Sequence, residues 1–586
     1  MQAVPIYNGE MDNRAIARLL GETADLMEIA GEDPFRIRSY RNGAAAIENY
    51  PERVAEMLAD PSRKVTDIPG IGKGLAAALE EIRRRGSFER RDKLLEKYPP
   101  TALELLKIQG LGPKTIAVLW EHYRVSTVDD LERICQEQKL RVLPRLGAKL
   151  EEKILRSIVR YRQSAGRFLL DFADEVARSL VGYLSETPGI ERITPAGSLR
   201  RGKETVGDLD LLVSGPNAAA ALERFAAWPE VVEMLGRGTN KASAKIGAQA
   251  IQVDVRALAA DSYGAGLQYF TGSKEHNVAL RGRCLKLGYT LNEYGLFRLD
   301  DETKAAGETE EEIYRKLGLA WIPPELRENQ GEIEQAAGGR LPRLVELSEI
   351  RGDLHMHTTE SDGRATLAEM AAAARACGYE YAAITDHSKA LAMANGLDEA
   401  RVVAFARQVR EVNARGELGI HVFSGIECDI RRDGSMDLAA DALAELDLVI
   451  GSVHSYMNLE AAEMTDRLLR ALECTQLRVL GHPTGRLLLA RDPFQFDFER
   501  VASEAARRGV FLEINASPER LDLHDTLLRA AKARGAKFVI ATDAHHPKHL
   551  LNMRYGVMMA RRGWLEAGDI VNTLALDGFR AAIRRG

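Results

Sequence analysis

Short apolar runs that end on a histidine or an acidic residue recur six times after residue 350, and this repeat constrains the fold more than any other feature of the chain. The runs end at His357, His387, Glu427, His454, His482 and His545. Runs of this kind, alternating with helical segments, are typical of a β/α barrel whose functional side chains lie at the carboxyl ends of its strands. Residues 510–515 supply one further strand. The sequence therefore predicts a distorted seven-stranded β/α barrel over residues 349–586.

The whole chain is too long for one hydrophobic core. It has 586 residues, 45% hydrophobic and 28% charged, with a net charge of −6, which indicates a soluble multidomain protein. That charge excludes a uniformly basic nucleic-acid-coating protein but leaves room for a local basic face. Five scattered cysteines without a CxxC pair favour a reducing compartment. The N-terminus has no signal-peptide pattern and no apolar run could span a bilayer, so we expect a cytoplasmic protein with no membrane contact.

Residues 1 to about 165 have a helical apolar pattern and contain a repeated GxG turn. Two strong copies lie at residues 68–73 and 108–114, and a weaker copy without the first glycine lies at 143–149. Each turn precedes a helix, whose free backbone N–H groups can bind a phosphate. A single copy is more often an ordinary loop, but the repetition favours helix-hairpin-helix motifs that bind DNA without sequence preference. The candidate DNA contacts are Gly70, Gly72, Lys73, Gly110, Gly112 and Lys114.

Three aspartates in the middle of the chain form a second candidate site. Asp208 and Asp210 are two residues apart in a strand pattern, so they share one face while Leu209 and Leu211 face a core. Asp254 lies on the polar side of a second strand pattern at 251–256. Three close carboxylates repel each other unless divalent cations neutralise them, which favours a pair of Mg²⁺ or Mn²⁺ ions and nucleotidyl transfer. A solvated edge strand is the alternative for the aspartate pair taken alone.

Two further motifs flank the aspartates. GSLRRG lies at 197–202, and YFTGSKEHN at 269–277 is followed by NEYGLF at 292–297. In this order the motifs closely resemble those of the family X DNA polymerases, the DNA polymerase beta type, across about residues 10 to 320. The resemblance implies a nucleotidyltransferase palm and thumb that add dNTPs to gapped or primer-template DNA. It also implies metal binding by Asp208, Asp210 and Asp254, and nucleotide contacts from Ser198, Arg201, Gly207, Tyr269, Phe270, Gly272, Asn277 and Arg281.

One position departs from that family. Members with deoxyribose-phosphate lyase activity use a lysine nucleophile in the helix after the first GxG turn, and Ala78 occupies the matching position here. Lys73 is nearby, but it lies at the phosphate-facing end of the helix. We therefore expect no strong lyase activity.

The C-terminal region resembles the polymerase-and-histidinol-phosphatase (PHP) family of metal-dependent phosphoesterases. HxHTxxSDG, TDH, GxE, SxH, GHP and DAH all occur in order. The resemblance implies two or three ions, Zn²⁺, Mn²⁺ or Fe²⁺, held by His355, His357, Asp362, His387, Glu427, His454, His482, Asp543 and His545. Fusion to a polymerase makes DNA the expected substrate, in 3′–5′ exonuclease, 3′-end processing or abasic-site cleavage reactions. Supporting or surface roles are expected for His421, His524, His546, His549, Asp429 and Glu513.

The predicted organisation has six segments, with α-helical, α/β and barrel regions in turn. They are an N-terminal helix-hairpin-helix domain (1–95), fingers (96–168), a palm (169–260), a thumb (261–322), a linker (323–348) and the PHP domain (349–586). Two alternatives stay open: a template-independent nucleotidyltransferase with a small-molecule phosphoesterase, and a barrel that is a non-catalytic DNA-binding scaffold. A monomer is the expected state because no sequence feature indicates assembly.

Overall fold

The computed structural model describes residues 13–48, 50, 54–60, 62–108, 110–143, 146–164 and 166–584. The chain forms two compact units, Met1–Ala165 and Gly166–Gly586. Every helix in the described ranges is too short or too polar to cross a lipid bilayer.

The first unit is helical, as the sequence predicts. Its helices are α1 (Asn13–Ile29), α2 (Pro34–Glu48), α3 (Val54–Ala59), α4 (Lys73–Arg85), α5 (Glu89–Lys97), α6 (Pro113–Tyr123), α7 (Val128–Gln136) and α8 (Ala148–Ser164). The two strong GxG turns directly precede α4 and α6. Gly70 and Gly110 have φ angles of 91° and 102°, which residues with a Cβ rarely adopt.

The turns have a common hydrogen bond. Ile71 N donates to Ile68 O, and Leu111 N donates to Ile108 O, both at 3.0 Å. In the weaker third copy Leu146 N donates to Leu143 O at 3.2 Å, just before α8; Pro144 and Arg145 of that copy lie outside the described residues. The third copy therefore folds like the other two at its described positions.

The second unit begins with the palm. Its elements are β1 (Phe168–Leu169), α9 (Leu170–Ser185), β2 (Arg192–Pro195), α10 (Gly197–Arg200), β3 (Thr205–Val206), β4 (Asp208–Ser214), α11 (Ala218–Ala226), β5 (Val231–Arg237), β6 (Lys241–Ile246) and β7 (Ile251–Leu258). Five of these strands form one sheet in the order β2-β4-β7-β6-β5. β4 and β7 are parallel neighbours at its centre. Leu209 and Leu211 are buried, so the alternation in the sequence assigns the two faces of β4 correctly.

The thumb follows the palm. It contains α12 (Tyr263–Thr271), α13 (Lys274–Lys286), β8 (Tyr289–Asn292), β9 (Gly295–Arg298), β10 (Lys304–Ala306), α14 (Glu310–Lys316) and, after it, α15 (Glu332–Ala337). The three strands form a small antiparallel sheet in the order β10-β9-β8. Leu326, Leu344 and Val345, in the segment that the sequence assigns to a linker, are buried.

The C-terminal region is the predicted β/α barrel. Its elements are β11 (Gly352–Asp353), α16 (Leu367–Ala376), β12 (Tyr381–Ile384), α17 (Glu399–Arg415), β13 (His421–Asp429), α18 (Ala440–Ala444), β14 (Leu448–Ser452), α19 (Ala461–Ala471), β15 (Leu477–Leu480), α20 (Phe498–Arg508), β16 (Phe511–Asn515), α21 (Asp525–Lys532), β17 (Phe538–Ala541), α22 (Met553–Arg562) and α23 (Leu576–Ile583). The seven strands are parallel and adjacent in chain order. A single parallel bridge between Met356 and Ala544, just beyond the ends of β11 and β17, nearly closes the barrel.

The sequence explains the barrel strands and the helix starts. Strands covered on both faces need continuous apolar runs, and all four residues of β12 are buried. Thr366 and Glu369 form a capping box at the start of α16, and Asp398 caps α17. Palm and barrel side chains also form one continuous hydrophobic cluster, so the two regions have a common core.

Candidate active sites

The rim of the barrel gathers a dense set of metal-ligating side chains. Three groups within the described residues place one ligand atom from every member within 4.8 Å of all the others. The groups are His357, Asp362, His387 and His545; His355, His357 and Asp543; and His387, Glu427 and His454. Eight of the nine side chains named from the sequence belong to these groups. The ninth, His482, lies beside them, with its Nε2 at 2.8 Å from Glu427 Oε1.

Glu427 is the central carboxylate of this cluster. It is 1% exposed, and its Oε2 lies 2.8 Å from His387 Nδ1 and 3.5 Å from His355 Nε2. Burial alone would raise the pKa of Glu427, but the charges of His454, His355 and His387 hold it well below its usual range. The negative charge of Glu427 also shifts the imidazoles. Burial alone would lower the pKa of His387 and His454, but Glu427 raises the pKa of His387 to about 10 and that of His454 to about 9.

Several ligand atoms of the cluster lack a hydrogen bond. His355 Nε2, His357 Nε2 and Glu427 Oε2 are buried, and within the described residues their close contacts with neighbouring ligands lack the geometry of a hydrogen bond. Buried polar atoms are rarely left in this state, and a divalent ion would satisfy all three. Imidazole nitrogens mixed with carboxylate oxygens suit Zn²⁺, Mn²⁺ or Fe²⁺. The residues present therefore fit the ions that the sequence predicts.

A second layer of side chains orients the ligands. Glu513, fully buried, contacts His355 Nδ1 at 2.6 Å, so the imidazole directs Nε2 toward the cluster. Asp429 Oδ1 lies 3.6 Å from His454 Nδ1, and the Asp543 carbonyl lies 2.9 Å from His545 Nδ1. Contacts of this kind fix the tautomer of a metal-binding histidine. Glu513 and Asp429 thus have the supporting position expected from the sequence.

The three palm aspartates lie on adjacent strands. Asp210 and Asp254 are direct partners in the parallel pair β4–β7, and Asp208 is opposite Gln252. Their ligand atoms do not form a group as close as those of the barrel within the described residues. Burial and, after it, the charge of Asp208 raise the pKa of Asp210 to about 6. The carboxylates are therefore close enough to repel each other, which is the condition that divalent cations relieve.

Two cations lie against the palm aspartates. Lys241 Nζ is 2.6 Å from Asp254 Oδ2, and Arg256 lies 3.6 Å from the same oxygen and 3.8 Å from Asp210 Oδ1. Burial raises the pKa of Asp254, but hydrogen bonds from Lys241 and Ser243 lower it overall. Arg256 also stacks over the Phe270 ring at 4.3 Å, which connects the aspartates to the predicted nucleotide site.

The GSLRRG motif forms the short helix α10 beside Asp210. Ala196 N donates to Asp210 O at 2.8 Å. Gly197 has a φ of 63°, and a Cβ there would lie 3.3 Å from Asp210 Oδ2. The motif therefore needs glycine at this position, which lies directly against Asp210.

The YFTGS segment closes the thumb side of the predicted nucleotide site. Tyr269 and Phe270 pack edge to face with ring centroids 5.1 Å apart. Asn277 Nδ2 donates to the carbonyl of Tyr269 at 2.7 Å and to that of Gly272 at 3.2 Å. A Cβ on Gly272 would lie 2.4 Å from Asn277 Oδ1. Arg281 Nε donates to Asn277 O at 3.3 Å, so these residues form one connected turn.

Comparison with known proteins agrees with this architecture. Family models match a helix-hairpin-helix domain at residues 11–88, a SAM-like helix-hairpin-helix tandem at 102–159, a DNA polymerase beta thumb at 266–328 and a PHP domain at 353–517. Together with the palm sheet, these matches define a beta-type polymerase fused to a PHP phosphoesterase.

One relative extends over nearly the entire chain. The DNA polymerase/3′-5′ exonuclease PolX of Bacillus subtilis is 35% identical over 576 residues, which is 98% of this chain and 100% of the relative. This chain therefore belongs to the family X DNA polymerases with a PHP domain. DNA polymerase lambda of Arabidopsis thaliana is 25% identical over 56% of this chain and 64% of its own length. A probable phosphatase of a Shewanella strain is 29% identical over 33% of this chain and 75% of its own length.

Some side chains at these sites were not recognised from the sequence. Arg256 is two residues after Asp254 in a strand, so the period of two would have placed it on the same face. Lys241 belongs to another strand, and its pairing with Asp254 depends on sheet order. Arg520, which lies 3.5 Å from Asp543 Oδ2, comes from a loop and carries no recognisable spacing.

Proposed function

We propose that this protein fills short gaps in DNA by template-directed addition of dNTPs at the palm, and that its PHP domain hydrolyses DNA phosphoesters in the 3′–5′ direction. The observation that carries the proposal is the presence of two distinct candidate metal sites in one folded unit: the β4–β7 aspartates and the barrel-rim cluster of histidines and carboxylates. The name of the Bacillus subtilis relative, which combines a polymerase with an exonuclease, supports assigning one activity to each site.

At the palm, Asp208, Asp210 and Asp254 would hold two Mg²⁺ or Mn²⁺ ions. Such ions supply activation of a 3′-hydroxyl and stabilisation of the triphosphate charge. Ser198 and Arg201 would bind the triphosphate, and a guanidinium suits phosphate oxygens because it donates two parallel hydrogen bonds. Gly207 would lie beside the triphosphate. The Tyr269–Gly272 turn would contact the sugar, with Asn277 and Arg281 toward the base and the template.

At the barrel rim, the nine side chains would hold two or three divalent ions. Such ions make a water nucleophile available near neutral pH and hold the phosphoryl oxygens. Glu513 and Asp429 keep the imidazoles oriented, and Arg520 adds a positive charge beside the cluster. The complete ligand set favours a catalytic barrel over a passive scaffold.

The repeated turns of the first unit would bind the DNA backbone. Gly70, Gly72 and Lys73 at α4, with Gly110, Gly112 and Lys114 at α6, present backbone N–H groups at a helix start. Lyase activity is expected to be weak because Ala78, at the matching position, faces the core with 5% exposure. A monomeric state and a cytoplasmic location are further parts of the proposal.

Two substitutions test the assignment of activities. Asp254→Ala should lower primer-template extension on the order of a thousandfold, since metal sites contribute several kcal/mol to the barrier, and should leave DNA hydrolysis intact. His357→Ala should do the reverse. The matched control for Asp254→Ala is Asp261→Ala, an exposed acid shortly after β7. The control for His357→Ala is His421→Ala, at the amino end of β13 and therefore away from the rim.

The outcomes separate the alternatives. Loss of both activities in either variant would contradict independent sites. Extension that ignores the template base would favour the template-independent transferase. Hydrolysis by metal-free protein at the rate of metal-loaded protein would remove the rim cluster as its source.

A further inference from the structure

The loop after α10 contacts the PHP domain directly. Arg562, on barrel helix α22, donates from Nη1 to Arg201 O at 3.0 Å. Gly202 faces Met558 of the same helix, and a Cβ on Gly202 would lie 3.2 Å from Met558 Cβ. Glu204 pairs with Arg486 of the barrel at 3.1 Å. The segment that carries the candidate triphosphate residue therefore packs on the barrel.

The guanidinium of Arg201 is held at two points. Its Nη1 donates to Thr271 O at 2.7 Å, and its Nε donates to Glu328 Oε1 at 3.0 Å. These contacts use the proton of Nε and one proton of Nη1. The other protons of the two terminal nitrogens have no protein acceptor in the described ranges, so they are available to phosphate oxygens.

Glu328 in turn depends on the barrel. Its Oε1 lies 3.0 Å from Nη1 of Arg562, whose side chain is 1% exposed. Arg562 also pairs with Asp525, a barrel residue. Burial alone would raise the pKa of Glu328, but Arg201, Arg562 and Lys203 lower it. Arg562 thus supplies part of the positive charge that holds the Glu328 carboxylate in this position. Its removal would leave Arg201 and the more distant Lys203 as the remaining partners of a largely buried charge.

We propose that Arg562 and Glu328 are positioning residues of the polymerase nucleotide site, through which the PHP barrel sets the orientation of Arg201. The proposal rests on the triphosphate role proposed for Arg201. The barrel helix fixes Glu328, and Glu328 holds the guanidinium of Arg201 so that its remaining terminal N–H groups are available to the nucleotide. The PHP domain would thus strengthen dNTP binding without touching the dNTP.

The test compares two adjacent arginines on α22. Arg562→Met removes the contact with Glu328, whereas Arg561→Met is the matched control because Arg561 pairs with Glu325 and Val345 O instead. Steady-state extension of a primer-template at varied dNTP should show KM raised about tenfold in Arg562→Met, the scale of one charge-assisted contact, with a smaller change in kcat. DNA hydrolysis should be retained, and Arg562→Lys should restore part of the KM.

Further variants decide between failures. A wild-type dNTP KM in folded Arg562→Met overturns the inference, and so does an equal rise in the Arg561→Met control. If Arg562→Met does not fold, Glu328→Gln gives the deciding KM, and a wild-type value there overturns the inference equally. Arg201→Met tests the proposed function separately. An unchanged dNTP KM in that variant shows that Arg201 does not bind the triphosphate. A raised KM in Arg201→Met together with a wild-type KM in Arg562→Met rejects this inference alone.

Discussion

The barrel rim and the palm each carry a candidate metal site. The two sites differ in how closely the protein places the ligand atoms without an ion. At the rim, His355, His357 and Glu427 are almost fully buried, and ligand atoms converge in three tight groups. At the palm, Asp208 is exposed and Lys241 contacts Asp254 Oδ2, where an ion would bind. The protein alone therefore brings the rim ligands together, whereas we expect the palm aspartates to reach their working arrangement only with ions bound.

The difference follows from the ligand chemistry. The rim mixes imidazoles with carboxylates, so His355, His387 and His454 are attracted to Glu427, and a buried partner such as Glu513 can hold His355 in place. The palm has three carboxylates side by side, and like charges this close are unfavourable without cations. A polymerase must bind a new triphosphate and release pyrophosphate in every cycle, so we expect an open site whose ions arrive with the substrate. A buried hydrolytic cluster has no such requirement.

Removal of metals should separate the two sites most clearly. Chelation should lower the melting temperature by several degrees, because ions that bind only the folded state stabilise it by mass action. The buried rim should account for this shift, so His357→Ala should respond little to chelator and Asp254→Ala should respond like the wild type. Thermal melts with and without chelator measure this. A shift that is lost in Asp254→Ala instead would reverse the proposed contrast.

Loss of a rim support should impair only hydrolysis. Glu513→Gln keeps the size of the side chain but weakens the contact that directs His355 Nε2 toward the cluster. Changes at such supporting partners typically cost 10–100-fold in metal affinity or activity. We therefore expect the rate of 3′–5′ hydrolysis of single-stranded DNA to fall by about that factor, while primer extension is unchanged. Glu445→Gln, a surface acid paired with Arg410, is the control. Unchanged hydrolysis would show that His355 does not need this partner.

The sequence predicted the rim better than the palm for a physical reason. Each barrel strand ends at the same rim, so the carboxyl end of an apolar run locates several of the ligands, and the resemblance implied the others. Eight of the nine side chains lie in the close groups. In the palm, the period of two placed Asp208 and Asp210 on one face. The register that pairs Asp210 with Asp254, and the contact of Lys241, depend on sheet order, which no local pattern encodes.

Contacts between distant segments were beyond prediction for the same reason. Glu328 and Arg562 are separated by 234 positions, and neither belongs to a motif. The third GxG copy shows the opposite case: a weak local pattern was sufficient because the turn bond from Leu146 N to Leu143 O depends only on neighbouring residues.

The pH dependence of metal binding should also differ between the sites. Burial and Asp208 raise the pKa of Asp210 to about 6, so Asp210 binds a proton below that pH and is a ready ligand above it. The Mg²⁺ concentration for half-maximal extension should therefore rise about tenfold per pH unit below 6 and be nearly constant above 7.

At the rim, protons on His387 and His454 compete with metal ions up to about pH 9 or 10. Metal affinity for hydrolysis should thus keep rising between pH 7 and 9, and a flat profile there would contradict this.

The smallest expected effect concerns Lys241. Its Nζ lies 2.6 Å from Asp254 Oδ2, so it competes with an ion for that oxygen while it stabilises the ion-free site. Lys241→Met should lower the Mg²⁺ concentration for half-maximal extension about threefold, the scale of a partly exposed ion pair worth under about 1 kcal/mol. Lys245→Met is the matched control on the same strand, since Lys245 pairs with Glu233. A higher Mg²⁺ requirement in Lys241→Met would mean that Lys241 positions Asp254 for the ions, and the palm would then resemble the rim in being assembled by the protein itself.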